Sequence, residues 1–222
     1  MPKHKGTRGT TITLRFALLI LGGGCFFSNI ASAQLINFDT FKPGKLPSGW
    51  ITGVTGSGTA IWSIERDIAF PSAHNVLRQS AEGLFPWCVK EDVSVANGWA
   101  EVKFKPLSGK KDQAGGIVFR FKDSNNYYIA RANALEHNVT LYHTVEGKRR
   151  AFQSVMASVE SNLWHTLRVD FQGNHFTVTY DGKKALEAND DKIKGPGKIG
   201  LWTKNDSVTL FDGFSFDGSA LP

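Results

Sequence analysis

Arg131 and Asn133 stand two residues apart in the stretch YYIARAN, residues 127–133. In a β-strand that spacing puts both side chains on one face. An arginine offers a planar fork of N–H donors, and an asparagine offers both donor and acceptor. Together they can grip a polyhydroxylated or anionic ligand. Other chemistry finds less support in the residue types. The histidines beyond residue 33 are His74, His137, His143, His165 and His175, none at a metal-ligand spacing. There is no Gly-x-Ser-x-Gly nucleophile elbow. Cys88, in PWCVKED, has no evident histidine partner and reads as packing. The acids Asp67, Asp92, Asp123, Glu136, Asp181 and Asp206 are scattered over turn-like segments, where carboxylates usually serve the backbone or face water.

The elements that must position Arg131 and Asn133 are strands. Ala100, Val102 and Phe104 alternate, as do Ile117, Phe119 and Phe121, then Leu167, Val169 and Phe171, then Phe176, Val178 and Tyr180. Glycine- and asparagine-bearing turns separate them at residues 123–126, 146–148, 172–174 and 181–183. No long stretch has a helical period. This pattern predicts an all-β sandwich or jelly roll. Reading residues 123–126 as a four-residue hairpin loop sets Arg120 opposite Ile129 and Val118 opposite Arg131. A second loop at residues 135–138 sets Asn133 opposite Thr140 and Arg131 opposite Tyr142. Cross-strand partners share a face. One face then collects Ile117, Phe119, Phe121, Tyr128, Ala130, Ala132, Val139 and Leu141. The other collects Arg120, Arg131, Asn133, Thr140, Tyr142 and Thr144. His143 falls on the apolar face as a misfit. In GKIGLWTK, Ile199 and Leu201 share one face, and Trp202 and Lys204 the other. Trp202 is the first candidate for stacking on a sugar, and Trp87 the second.

The 222 residues carry a net charge of +6. Lys3, Lys5, Arg8 and Arg15, an apolar run over residues 16–27 and Ala31-Ser32-Ala33 read as an export signal over residues 1–33. That run is too short to span a bilayer comfortably. Removing its four basic residues leaves +2, which makes no case for nucleic acid. One cysteine would remain, so the fold must rest on its own core. Residues 34–222 read as one domain, exported to a periplasmic, cell-envelope or extracellular site.

Three stretches carry a resemblance. They are AGGIVFRFKDSNNYYIARANALEHNVTLY, WHTLRVDFQGNHFTVTYDGKKALEAND and GKIGLWTKNDSVTLFDGFSF, with the opening FDTFKPGKLPSGW and IWSIERD. In this order they resemble the 3-keto-disaccharide hydrolase-like family of concanavalin A-like jelly rolls, which are also similar to laminin G-like domains. The resemblance implies two curved antiparallel sheets, with the segment at Phe38-Asp39 near that at Phe211-Asp212. It implies secretion or a cell-envelope site. It allows a structural calcium, to which Asp39 and Asp212 could contribute if the terminal strands pair; the favoured reading is two turn or strand-end carboxylates and no cofactor. Enzyme-like members carry a glutamate-containing Tyr-Glu-x-Gln type strand where this chain has YYIARAN. The Glu-x-Asp-x-x-Glu motif of family 16 glycosidases is absent. A glycoside hydrolase usually needs two carboxyl groups flanking the bond.

Three functions follow. The first is a secreted lectin-like module binding glycan on the concave sheet face, with Arg120, Arg131, Asn133 and Tyr142 on the sugar, Trp202 stacking and Lys204 at the rim. The second is a hydrolase or lyase of 3-keto-disaccharides or other glycosides. The third is a non-catalytic cell-envelope domain that binds protein.

Overall fold

A computed structural model describes Met1 and residues 33–68 and 74–219. The segment read as an export signal lies almost wholly outside the described residues. The described residues from Ala33 onward form one compact unit. No helix among the described residues is long and apolar enough to cross a membrane.

The described chain is all strand and turn. The strands are β1 (Gln34–Ile36), β2 (Trp50–Gly58), β3 (Trp62–Asp67), β4 (His74–Gln79), β5 (Gly83–Lys90), β6 (Asn97–Ser108), β7 (Ala114–Asp123), β8 (Asn126–Asn133), β9 (Asn138–Val145), β10 (Lys148–Met156), β11 (His165–Gln172), β12 (His175–Tyr180), β13 (Lys183–Asn189), β14 (Lys198–Trp202) and β15 (Val208–Ser219). They form two antiparallel sheets. The first runs β13-β12-β11-β6-β15-β4-β3, with β1 added on β15; the second runs β10-β9-β8-β7-β14-β5-β2. Gln34–Ile36 pairs with residues 214–216, so the two ends of the folded chain meet in one sheet.

The inward faces meet in a core that includes Phe104, Phe171 and Phe176 from the first sheet and Ile117, Phe119, Tyr128 and Leu141 from the second. Phe119 stacks on both Tyr128 and Phe171. Glycine makes the close approach possible at one point. A side-chain carbon on Gly115 would come within 2.4 Å of the Phe104 ring, so only glycine lets β6 lie this near β7.

The register differs from the expectation by two residues at both hairpins. Arg131 faces Gly116 and Thr140, and Asn133 faces Ala114 and Asn138. A shift of two leaves each side chain on its face, whereas a shift of one would have inverted them. The faces therefore hold as read, except beyond Phe119. There β7 carries residues 120–122 where β8 has only Tyr127. This bulge turns on Arg120, whose φ of 47° is left-handed. Phe121 consequently leaves the inter-sheet core and joins the opposite face, and Arg120 takes the inner side.

The second sheet is strongly curled. Arg149 of β10 and Phe85 of β5 are five strands apart, which in a flat sheet is roughly 24 Å. Yet the Arg149 guanidinium carbon lies 4.5 Å from the centre of the Phe85 ring. Likewise the hydroxyls of Thr55 in β2 and Tyr127 in β8, four strands apart, are 2.7 Å from each other. Only a sheet rolled toward its outer face brings these side chains together. The outer face is thus the concave one, a trough.

Candidate functional site

The trough is floored by rings. Phe85, Trp87, Phe121, Tyr127, Tyr142 and Trp202 cluster there with Val89, Val118 and Ile129. Trp202 stacks on Phe85, and Phe121 on Tyr127. This face was expected to be wet. Instead β7, β8 and β14 are buried on both sides along most of their length, and Trp202 is fully buried. Curling explains the change, because the walls of the trough desolvate its floor. Burial pushes the Tyr127 hydroxyl pKa up, against the opposing effect of its Thr55 partner.

One end of the trough is polar. Arg131, fully buried, makes a two-pronged ion pair with Glu136, through Nη2 to Oε2 at 2.8 Å and Nη1 to Oε1 at 3.3 Å. Its Nη2 also donates to Asn138 Oδ1 at 2.5 Å. Asn133 Oδ1 accepts the backbone N–H groups of Leu135 and Glu136, which shapes the β8–β9 turn. Asn133 Nδ2 donates to Asp112 at 2.8 Å. The same carboxylate takes Asn205 Nδ2 at 2.6 Å and Lys204 Nζ at 3.0 Å. Lys204 also reaches Glu136 Oε1 at 3.6 Å. One ammonium therefore joins the two carboxylates, and one network spans β8, the start of β9, and the loops before β7 and after β14.

Arg131 and Asn133 sit together because they hold Glu136 and Asp112. The buried pair orders the turn that carries Glu136, and Glu136 presents its carboxylate at the open end. Burial favours its protonated form, but the Arg131 bonds and charge outweigh this and pull its pKa down to about 2. Glu136 is thus a carboxylate at neutral pH and cannot serve as a proton donor.

The structure places Arg131, Asn133, Tyr142, Trp202 and Lys204 on this one face. Arg120 is not among them. Its guanidinium lies over Phe171 and Phe176 of the opposite sheet and donates to the carbonyls of Ala96 at 3.0 Å and Gly173 at 2.6 Å. The β7 bulge is the cause. His143, the misfit, is accommodated at the edge of the core. Its Nδ1 lies 3.0 Å from Asp190 Oδ2, and its ring stacks on Phe152. Asp39 accepts the Asn75 N–H, and Asp212 accepts that of Gly213 and lies 3.5 Å from His74 Nε2. No group of three or more His, Cys, Asp or Glu that could hold a metal occurs among the described residues.

Glu136, Asp112, Asn138, Phe85 and Arg149 were missed as site residues. Glu136 read as a turn acid and Asp112 drew no reading, and nothing local marks a loop acid that folds back onto a strand. The turn near Arg149 was legible, but read as residues 146–148 it sets Arg149 opposite Val145. The structure closes it over Glu146-Gly147, which sets Lys148 opposite Val145 and Arg149 opposite Thr144 on the polar face.

Residues 37–216 match the family model described as a 3-keto-alpha-glucoside-1,2-lyase-like domain. The chain belongs to this family. No match was found among curated proteins. Solved structures share the fold of this 3-keto-alpha-glucoside-1,2-lyase-like domain at low identity. A carbohydrate-binding module, CBM66 from Bacillus subtilis, is 19% identical, with a TM-score of 0.63 over 77% of this chain and 96% of that one. The exoplasmic/lumenal domain of VIP36, in a form bound to calcium and Man3GlcNAc, is 9% identical, with a TM-score of 0.56 over 85% of this chain and 92% of that one. A β-glucanase of Bacillus licheniformis is 12% identical, with a TM-score of 0.53 over 85% of this chain and 98% of that one. The fold is that of concanavalin A-like jelly rolls. The scaffold is thus similar to those of a carbohydrate-binding module and a β-glucanase, and the fold alone assigns no role.

Proposed function

We propose that the polar end of the trough binds carbohydrate, and that residues 34–222 act as an exported lectin-like module. The observation that carries this is the network at that end. Glu136 and Lys204 reach toward solvent beside a floor of rings, and buried Arg131 and Asp112 hold them in place. Carboxylate, ammonium and the Asn138 amide supply donors and acceptors for vicinal hydroxyls, already oriented before a ligand arrives. The names of CBM66 and of the sugar-bound VIP36 domain support the same reading. The test is a glycan array with the purified protein and its Glu136→Gln and Arg131→Ala variants. We expect retained glycans to be lost, by about tenfold or more in affinity, in Glu136→Gln, which should melt somewhat lower yet stay folded at the assay temperature. An array on which the wild-type protein retains no glycan overturns the reading.

The family's description favours a second reading. A 1,2-lyase acting on a 3-keto-glucoside removes the C2 proton, made acidic by the neighbouring ketone; the freed electron pair becomes a C1–C2 double bond as the bond from C1 to the leaving oxygen breaks, and that oxygen takes a proton from water. Glu136 is ionised and is the accessible carboxylate of this end, so it is the base such a step would use. Its low pKa makes it a weak one. Turnover of a 3-keto-disaccharide that disappears in Glu136→Gln would put the lyase first; binding without turnover would leave the lectin.

A further inference from the structure

Arg149 is the charged group of the trough that the described residues leave unmatched. Its guanidinium carbon lies 4.2 Å from the centre of the Tyr142 ring, 4.5 Å from that of Phe85 and 5.4 Å from that of Trp202. Rings attract the cation, but they offer no acceptor oxygen to its N–H groups. Nη1 is buried and has no hydrogen-bond partner. Such a donor is costly to leave unmade. Arg131 comes to the same Tyr142 ring at 5.2 Å. Its Nη atoms are taken by Glu136 and Asn138, and its Nε is also buried without a partner. Two guanidinium groups thus share one tyrosine, while Glu136 is already paired with Arg131 and reached by Lys204. Burial most of all, together with the charge of Arg131, works against the charged form of Arg149; Tyr142 and the more distant charge of Asp112 favour it without offsetting the burial.

The unmet demand here is for acceptors and for negative charge. A neutral sugar hydroxyl brings a donor with every acceptor. A carboxylate is acceptor-only and charged, and it matches a guanidinium edge on two N–H groups. Arg149 sits on the edge strand β10, between exposed Lys148 and Arg150, whose side chains alternate to the other face of the strand. They leave the edge itself positively charged.

We propose that the trough takes an acidic glycan, and that a uronic acid carboxylate pairs with Arg149 beside Tyr142. This rests on the carbohydrate reading above. The test is calorimetric titration of the full chain with a tetragalacturonide, with its carboxyl-reduced neutral counterpart and with acetate, at low and at 0.15 M salt. The same titrations are made on Arg149→Gln and Arg149→Lys. The uronide should bind about tenfold or more tighter than the reduced oligosaccharide, with a preference that shrinks as salt rises. Arg149→Gln should abolish the preference and keep the weaker neutral binding. Arg149→Lys, which keeps charge but not the fork, should lose most of it at an unchanged melting temperature, and it decides the matter if the glutamine variant fails to fold. Equal affinity for the two oligosaccharides overturns the acidic ligand and leaves the carbohydrate reading standing. Binding of neither overturns both. A preference that survives both Arg149 variants, or acetate binding as tight as the uronide, also overturns the proposal.

Discussion

Glu136 is 40% exposed in its side chain, yet its ionisation is governed by a fully buried partner, Arg131. A carboxyl held near pH 2 when folded and near 4.5 when free contributes stability above the free value and loses it as pH falls toward the folded one. We expect the melting temperature of the wild-type protein to drop between about pH 4.5 and 2, and that of Glu136→Gln to drop less across the same window. Solvent screening at this exposure keeps the difference modest. Parallel slopes for the two proteins in thermal scans against pH would show that the pair contributes nothing. At this scale the types of Arg131 and Asn133, and their shared face, were legible from spacing alone. Their partners were not, because Glu136 and Asp112 reach them through loop geometry that no local pattern encodes.

The element that most changed the site is β7. Its bulge swaps Arg120 and Phe121 between faces, and alternation in the sequence continues straight through it. Gly197 marks the place: a side-chain carbon there would come within 2.5 Å of the Arg120 backbone. Arg120 now ties the loops at Ala96 and Gly173 to the second sheet through their carbonyls. Arg120→Ala should therefore cost about 2–3 kcal/mol in urea unfolding, since a charged donor and its buried acceptors are separated. It should leave ligand affinity in the trough unchanged. A specific loss of ligand binding at full stability would return Arg120 to the binding face. The strands themselves were legible, since residues 115–119 and 127–133 alternate cleanly. The hairpin registers were each read two residues out. That error preserved the faces because the pleat repeats every two residues.

At the scale of the whole molecule, the fold rests on two separate apolar clusters, one between the sheets and one inside the curled second sheet. Phe119 stands at the centre of the first, against Tyr128, Phe171 and Phe176. Phe119→Ala should cost about 3–5 kcal/mol and lower the urea midpoint without changing the slope. A loss below about 1 kcal/mol would mean that the sheets close over the gap. By itself, the sequence determined that the chain is all-β and which side of strands such as 100–104, 115–119, 127–133 and 167–171 faces the inter-sheet core, and its resemblance to known members supplied the family. The first two depend on composition and on a period of two, which are local quantities. The tertiary structure alone decided that the polar face is a closed, ring-floored trough, that Arg120 lies outside it, and that Arg149 reaches Phe85 across five strands. Curvature is the reason. It arises from twist and bulges accumulated over a whole sheet, and it brings together residues that neither spacing nor pairing relates.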